Sequence, residues 1–400
     1  MNFPRILKKR KGYIDRIKPF MQKSVVKVLT GQRRVGKSFL LYQLIEEILA
    51  EEPNANIIYV NLEDFTFSSL QTAEDLHSYI ISHSKEKVKN YIFIDEIQDI
   101  PGFEKVIRSL LLNEDNDIYI TGSNAKMLSG ELATYLSGRY IEFKIYSLSY
   151  SEFLEFHGLT ESETSYELYS RYGGLPYLLN LPLEDETVNE YLKSVYSTIV
   201  FRDVVSRYKL RNTLFLEKLI QFLSENIGNL FSAKNISDYL KSQYTTISVN
   251  QIQSYTEYLN NAFLIHRVER YDLIGKRVFE IGEKYYFENM GIRNIVIGYR
   301  ITDKAKILEN LVYNHLLYKG YDIKVGYYGD KEIDFIGEKN GEKLYIQVAL
   351  KIDGDTAERE FGNLLKIQDN YPKIVVTEDT FSGNSYEGIR HCPIRQFLME

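Results

Sequence analysis

A run of eight residues near the amino end constrains this chain more than any other stretch. It fits the pattern G-x-x-x-x-G-K-[ST], whose two glycines let the backbone approach a phosphate group closely. In order, the residues are Gly31, Gln32, Arg33, Arg34, Val35, Gly36, Lys37 and Ser38. A β-branched run at 24–30 precedes them, and residues 39–45 are apolar at helical spacing. The run therefore predicts a loop between a buried strand and a helix amino end, where free N–H groups and the helix dipole favour a phosphate.

Two acidic residues further along the chain complete the expected phosphate chemistry. Lys37 is predicted to reach the β- and γ-phosphates of ATP, and the Ser38 hydroxyl to bind Mg²⁺. The apolar run 91–94 predicts a buried strand that ends in Asp95 and Glu96. We predict that Asp95 belongs to the Mg²⁺ shell and that Glu96 polarises the attacking water; a salt-bridging surface acid is the alternative for Glu96.

Three further polar residues are candidates for the same site. The predicted strand 117–124 ends in Ser123 and Asn124, and ligands of a parallel sheet gather at the carboxyl ends of its strands. These two side chains are therefore candidates for contact with the γ-phosphate or its water, and a helix cap is the alternative. Arg139 precedes a fifth candidate strand, 141–145. It is a candidate arginine finger for a neighbouring subunit, which requires a homo-oligomer, or else the partner in a structural ion pair.

Charge and cysteine content exclude several classes of protein. Lys and Arg total 49 against 55 Asp and Glu, a net charge of −6 that gives no global basic footprint for nucleic acid. The one cysteine, Cys392, excludes an intramolecular disulfide framework and a Cys-rich zinc site. No apolar run has the length of a membrane span, and the basic start, residues 1–11, lacks the apolar core of a signal peptide. We expect a cytoplasmic protein without membrane contact, whose basic tip is a solvated arm.

Five short motifs follow one another along the chain, at residues 31–38, 93–98, 121–124, 136–139 and 148–153. Together they resemble the motifs of prokaryotic AAA+ superfamily ATPases, and most closely those of an archaeal and bacterial group that has a C-terminal domain of unknown function. The resemblance implies an α/β fold with a parallel sheet of the P-loop NTPase type at residues 1–147. It also implies a helical lid at residues 148–207.

Residues 208–283 resemble a winged-helix module. Three segments with helical spacing, the last at 248–259, precede an apolar run at 264–268 that fits a wing strand. The third helix would face DNA, yet it contains no Lys or Arg for phosphate contacts. DNA binding therefore stays open, with a protein-docking or interdomain role as the alternative. The basic residues of the predicted wing are Arg267, Arg270, Lys276 and Arg277.

Residues 284–400 resemble the restriction-endonuclease-like fold, in which two acids hold a metal and a lysine assists the nucleophile. Glu309, Asp334 and Gln347 follow one another in the corresponding order. Ala349 stands at the lysine position, and Lys351 lies two residues further along the same predicted strand face. Gln347 brings no negative charge to a metal. We predict a nuclease-like fold with a degraded site that does not cleave DNA.

These features lead to two hypotheses about function. In the first, the protein hydrolyses Mg·ATP and thereby drives a conformational switch between the ATPase core, the lid and the C-terminal recognition modules, which bind DNA or a protein. In the second, the protein is a nucleic-acid processing enzyme in which ATP licenses metal-dependent cleavage by the C-terminal domain.

Overall fold

The computed structural model describes residues 8–128, 136, 138–273, 275, 282–329, 331–352, 354–378 and 385–400. The chain divides into two compact units. The first consists of Met1–Tyr146 and Asn261–Phe263, and the second of Ser147–Asn260 and Leu264–Glu400. The predicted divisions at 207/208 and 283/284 both lie inside the second unit.

Five parallel strands form the sheet of the first unit. They are β1 (Val26–Thr30), β2 (Asn56–Asn61), β3 (Asn90–Asp95), β4 (Asn116–Gly122) and β5 (Tyr140–Lys144). Their order across the sheet is β2-β3-β4-β1-β5, with every neighbouring pair parallel. All residues of β1, β3 and β4 are buried, as is typical of a parallel sheet covered on both faces. The predicted α/β class and parallel sheet are confirmed.

Helices and short 3₁₀ turns connect these strands. The described α-helices of the first unit are Lys11–Ile17, Lys37–Glu51, Ala73–His83 and Phe103–Leu110. The 3₁₀ turns are Lys18–Phe20, Phe65–Phe67, Ile97–Asp99 and Ala125–Leu128. Apolar side chains from β3 and β4, such as Ile94 and Ile120, share one core cluster with Leu76 and Ile107 of two flanking helices. Burial of each such side chain contributes roughly 1.5–3 kcal/mol, which holds the helices against the sheet.

Most of the remaining helices belong to the second unit. They are Tyr150–His157, Glu163–Tyr172, Asp185–Thr198, Thr213–Glu225, Ala233–Ser242, Val249–Asn261, Met290–Ile297, Lys304–Tyr318, Gly354–Leu365 and Ile394–Phe397, with 3₁₀ turns Pro176–Asn180 and Ile301–Asp303 and a π-helix at Ile199–Ser206. The motif at 148–153 begins the first of them. Ser149 Oγ accepts a hydrogen bond from the N–H of Glu152, whose carboxylate accepts one from the N–H of Ser149. This capping box gives that motif a structural role.

A mixed sheet of eight strands is the centre of the second unit. The strands are β6 (Ile265–Asp272), β7 (Glu283–Phe287), β8 (Asp322–Tyr328), β9 (Lys331–Lys339), β10 (Glu342–Ala349), β11 (Lys373–Thr377), β12 (Ser385–Tyr386) and β13 (Ile389–Pro393). Their order is β12-β13-β11-β10-β9-β8-β6-β7. None of the helices in the described ranges is long and apolar enough to cross a membrane.

The strand predicted as a wing belongs to this large sheet. β6 pairs with β7 on one side and runs parallel to β8 on the other. The predicted boundary at 283/284 therefore falls inside β7. Local periodicity shows that β6 is a strand, but its partner β8 lies about fifty residues away, and only the tertiary fold selects it.

Candidate active site

The loop that follows β1 requires glycine at its first position. Gly31 has a φ of +152°, and a Cβ there would lie 2.1 Å from the carbonyl oxygen of Ile145. Gly36, with a φ of +95°, directly precedes the helix Lys37–Glu51. Both glycines therefore adopt backbone angles that residues with a side chain rarely reach. The loop passes from a buried strand into a helix amino end, the arrangement that favours an anion.

The ammonium group of Lys37 lies within this loop. It is buried and donates hydrogen bonds to the carbonyl oxygens of Gly31 and Gln32, each at 3.0 Å. It also lies 3.8 Å from Glu96 Oε1. A single positive charge is thus held between the backbone of the loop and an acid at the end of β3.

Asp95 ends β3 and lies beside Ser38. The Ser38 hydroxyl donates a hydrogen bond to the Asp95 carboxylate. Thr121 Oγ1 donates to Asp95 Oδ1, and Tyr59 donates to Oδ2 at 3.4 Å. Burial raises the pKa of Asp95, and the hydrogen bonds from Ser38 and Thr121 oppose that rise. The structure therefore brings together two oxygen ligands of the kind that Mg²⁺ prefers.

Glu96 is only 6% exposed and has a left-handed backbone, with a φ of +57°. Its Oε2 accepts a 2.5 Å hydrogen bond from the Gln98 amide. Burial alone would raise the pKa of Glu96, but the positive charges of Lys37 and Arg33 more than compensate and bring that pKa below its ordinary value. The result is a buried, ionised carboxylate, which does not fit the alternative of a surface salt bridge.

Several buried polar atoms of this site lack a protein partner. Gln32 Oε1, Gln98 Oε1 and Ser123 Oγ make no hydrogen bond of ordinary geometry to any residue that the structure describes. Ser123 is nevertheless close enough to Glu96 to help lower the pKa of that carboxyl. A buried polar atom without a partner costs about 1–3 kcal/mol. A triphosphate with its hydrated Mg²⁺ offers both donors and acceptors to such atoms, so the residues present fit these ligands.

Asn124 and Arg139, the two remaining candidates, are placed differently from Lys37, Asp95 and Glu96. Asn124 Oδ1 accepts a hydrogen bond from the N–H of Lys126 at 2.7 Å, which is the helix-capping geometry. Arg139 is exposed, and its carbonyl accepts from the N–H of Val26, at the amino end of β1. The loop follows the opposite end of β1, about 13 Å away at 3.3 Å per residue. Arg139 therefore does not reach the site of its own chain.

Residues of the loop itself differ in exposure. Arg33 and Val35 are buried, whereas Arg34 is exposed with a φ of +71°. Arg33 Nη1 donates to Glu63 Oε1 at 2.9 Å, and Gln32 Nε2 donates to the carbonyl of Phe263 at 2.8 Å. Arg33 thus adds positive charge inside the site.

Arg10 is a residue of the site that the sequence does not reveal. It is 3% exposed, and its Nη1 donates to the carbonyls of Val35 and Tyr146 at 3.2 and 2.8 Å. The expectation that the basic tip is a solvated arm is wrong for this residue, and residues 1–7 lie outside the described ranges. The carbonyl partners of Arg10 lie far along the chain, so a basic run at a chain end gave no signal of burial.

The candidate residues of the second unit differ in burial. Asp334 and Gln347 are buried, but Lys351 is exposed. In the described ranges, no group of three or more His, Cys, Asp or Glu side chains is arranged to hold a metal. Of the predicted basic wing, Lys276 and Arg277 lie outside the described residues. Arg267 forms ion pairs with Glu269 and Glu283.

Comparison with known proteins assigns the chain to a family. Residues 23–154 match the model of the AAA domain, and residues 163–303 match a domain of unknown function, DUF8612. An uncharacterized protein of Haemophilus influenzae is 38% identical over 98% of both chains. The chain belongs to the same family as this Haemophilus influenzae protein, and its residues 23–154 are an AAA domain. An uncharacterized protein of Methanocaldococcus jannaschii is 30% identical to this AAA-domain protein, over 84% of this chain and 77% of that protein.

Similarity to solved structures is weaker. The Aeropyrum pernix ORC1 protein, solved in complex with DNA, is 13% identical to this AAA-domain protein. The match covers 73% of this chain and 93% of that one, with a TM-score of 0.36.

Proposed function

We propose that the first unit binds ATP with Mg²⁺ in the loop 31–38 and hydrolyses it. The observation that supports this most strongly is the convergence of Lys37, Ser38, Asp95 and Glu96 at the carboxyl ends of β1 and β3. One cation, one hydroxyl and two carboxylates are the groups that phosphoryl transfer to water needs. Gln32 Oε1 and Gln98 Oε1 are buried acceptors that have no hydrogen-bond partner among the described residues, and water bound with the nucleotide would satisfy them.

Each of these residues has a separate role in the proposal. Lys37 exchanges its two carbonyl contacts for oxygens of the β- and γ-phosphates. Ser38 and Asp95 would hold Mg²⁺, which would supply positive charge near the phosphate oxygens. Glu96 accepts a proton from the attacking water, for which a carboxylate with a lowered pKa is already ionised. Ser123 donates a hydrogen bond to the γ-phosphate or to that water.

Hydrolysis in this proposal drives a conformational switch. Gln32 lies in the loop and donates a hydrogen bond to the carbonyl of Phe263, which lies two residues before the start of β6. A change in the conformation of the loop after phosphate release would displace the segment that contains Phe263, and this displacement would be transmitted along the chain. We propose that the second unit is the recognition module. The absence of Lys and Arg from residues 249–261 and the ion pairs of Arg267 favour a protein over DNA as its partner.

Two substitutions in the loop and the acid pair test this function. Lys37→Ala should abolish ATP binding, because the charge that compensates the phosphates is lost. Glu96→Gln should keep binding and stop turnover, because an amide does not accept the proton of water. Equilibrium binding of labelled ATP and release of phosphate measure the two effects. Lys105→Ala and Glu104→Gln, on the helix Phe103–Leu110, are matched controls. Unchanged hydrolysis in both Lys37→Ala and Glu96→Gln would overturn the proposal.

A plasmid assay tests the nucleic-acid processing alternative. Supercoiled DNA with Mg²⁺ or Mn²⁺, with and without ATP, should stay intact, because Ala349 stands at the lysine position, Lys351 is exposed and Gln347 brings no negative charge to a metal. Cleavage that disappears in Asp334→Ala would support the alternative instead.

A further inference from the structure

A buried lysine in the second unit lies among carboxylates. Lys284 on β7 has a side chain that is 4% exposed. Its ammonium contacts Glu309 Oε1, from the helix Lys304–Tyr318, at 3.1 Å and Glu332 Oε1, on β9, at 2.7 Å. Asp334, also on β9, is near enough for its charge to raise the pKa of Lys284. We call these four residues the Lys284 cluster.

Charge compensation within the cluster is internal. Burial lowers the pKa of Lys284, but the three carboxylates outweigh burial, so its pKa lies above the ordinary value. Burial and the Glu309 carboxylate raise the pKa of Asp334 well above its ordinary value. A buried ammonium is stable only where carboxylates and hydrogen bonds surround it. Lys284 therefore stays charged and compensates the acids around it.

The neighbours of the cluster fix its carboxylates and leave one acceptor unused. Tyr286 donates to Glu309 Oε1 at 2.6 Å, and the N–H of Val348 donates to Asp334 Oδ2 at 2.7 Å. The register that pairs Ile346 with Phe335 places Gln347 beside Asp334 on one face of the sheet. Gln347 Oε1 is buried and has no hydrogen-bond partner among the described residues.

Space around Glu309 is restricted as well. Gly228 has a φ of +73°, and a Cβ there would lie 2.9 Å from both carboxylate oxygens of Glu309. Any larger residue at this position would push Glu309 away from Lys284. The backbone is thus closely fitted around the carboxylate in the position that contacts the ammonium.

Carboxylate and amide oxygens are ligands that divalent cations prefer in proteins. We propose that the Lys284 ammonium occupies the place of a divalent metal among Glu309, Glu332, Asp334 and Gln347. This cation is covalently attached to the chain. A metal ion entering the cluster would have to displace a buried positive charge that cannot leave the protein. The C-terminal part of the chain therefore keeps a carboxylate centre that needs no metal and excludes one.

Counting bound Mn²⁺ on the full chain without nucleotide, by electron paramagnetic resonance, tests this proposal. The single variant Asp334→Asn should bind the same number of Mn²⁺ ions as the wild type, because the wild-type cluster binds no Mn²⁺. Lys284→Met should gain one bound Mn²⁺, since the carboxylates lose their internal cation, and the double variant Lys284→Met/Asp334→Asn should lose it again. Lys304→Met is the control, because that ammonium contacts Glu378 outside the cluster.

Two outcomes overturn the proposal. The first is a wild-type Mn²⁺ signal that falls in Asp334→Asn, which would mean that metal already occupies the cluster. The second is a Lys284→Met chain that is folded by circular dichroism and gains no Mn²⁺. If Lys284→Met does not fold, the comparison between the wild type and Asp334→Asn decides.

Discussion

At the scale of single residues, the candidate active site depends on how one carboxylate is held. Glu96 has a left-handed backbone, a conformation that costs a residue with a side chain about 1–2 kcal/mol. Lys37 and the Gln98 amide both contact its carboxylate. Gln98 is confined in turn, because a Cβ on Gly122 would lie 2.9 Å from its Oε1. We infer that Gln98 is a positioning residue for Glu96.

Replacing Gln98 should separate turnover from binding. Gln98→Leu has a similar size but does not donate a hydrogen bond to Glu96. A hydrogen bond to a charged group contributes about 1.5–3 kcal/mol, so we expect hydrolysis to fall roughly 10- to 100-fold. The affinity for ATP should change little, because Gln98 is not part of the loop 31–38. Phosphate release and nucleotide binding are measured in parallel, with the exposed Gln71→Leu as control. An equal loss of binding and turnover would contradict a positioning role.

Asp334 should make stability depend on pH. The raised pKa of Asp334 means that the folded state favours the protonated acid. The contribution of Asp334 to the free energy of unfolding is therefore fully present below the ordinary pKa of about 3.9, and it is lost as pH rises through the raised pKa. Asp334→Asn should not show this loss of stability with rising pH, because an amide does not ionise. The free energy of unfolding of the variant minus that of the wild type should therefore increase with pH. Urea titrations across pH measure it, with the exposed Asp322→Asn as control. A flat or falling difference would show that Asp334 folds ionised.

At the scale of elements, the loop 31–38 depends on a contact with the start of the chain. Arg10 directly precedes the helix Lys11–Ile17, and its guanidinium binds the carbonyls of Val35 and Tyr146. Its own N–H donates to Gln43 Oε1 on the helix that follows the loop. One residue thus connects the loop, the end of the sheet and the helix behind the loop.

Arg10→Ala should weaken both the fold and the nucleotide site. Two carbonyls would lose a charged donor, so the free energy of unfolding should fall by roughly 2–3 kcal/mol, and ATP affinity should fall because Val35 loses its support. Arg10→Lys should give an intermediate result, because an ammonium lacks the planar fork of a guanidinium. Urea unfolding and ATP titration measure the two quantities, and the exposed Arg16→Ala is the control. Unchanged affinity in a destabilised Arg10→Ala chain would limit Arg10 to a role in folding.

The elements show which features the sequence predicts and which it does not. Runs rich in apolar and β-branched residues marked β1, β3 and β4, whose two faces are buried even where β1 contains Lys27 and β4 contains Asp117. The glycine pattern marked the loop. The contacts of Arg10 and Lys284 were not predicted. Arg10 meets a carbonyl 136 positions away, and Lys284 meets Glu309 25 positions away. Such partners depend on how distant segments fold together, and local periodicity contains no information about them.

At the scale of the whole molecule, the position of Arg139 bears on assembly. Arg139 lies at the amino end of β5, whereas the loop and the acid pair lie at the carboxyl ends of β1 and β3. An arginine at that end of the sheet can assist hydrolysis only in the site of another copy of the chain. The proposed finger therefore requires a homo-oligomer in which the two ends of the sheet face each other across subunits.

A mixing experiment decides whether Arg139 acts between subunits. Arg139→Ala and Glu96→Gln should each bind ATP and fail to hydrolyse it. In an equimolar mixture, a site regains all its groups when an Arg139→Ala chain supplies Glu96 and its neighbour is a Glu96→Gln chain that supplies Arg139. Random assembly gives this combination in roughly one site in four, so about a quarter of the wild-type rate should return. If Arg139 forms only a structural ion pair, Arg139→Ala hydrolyses ATP by itself; if the chains do not assemble, the mixture stays inactive. Either result would contradict a finger that acts between subunits. In the first case the site is complete without Arg139, and in the second case no neighbouring chain supplies the missing group.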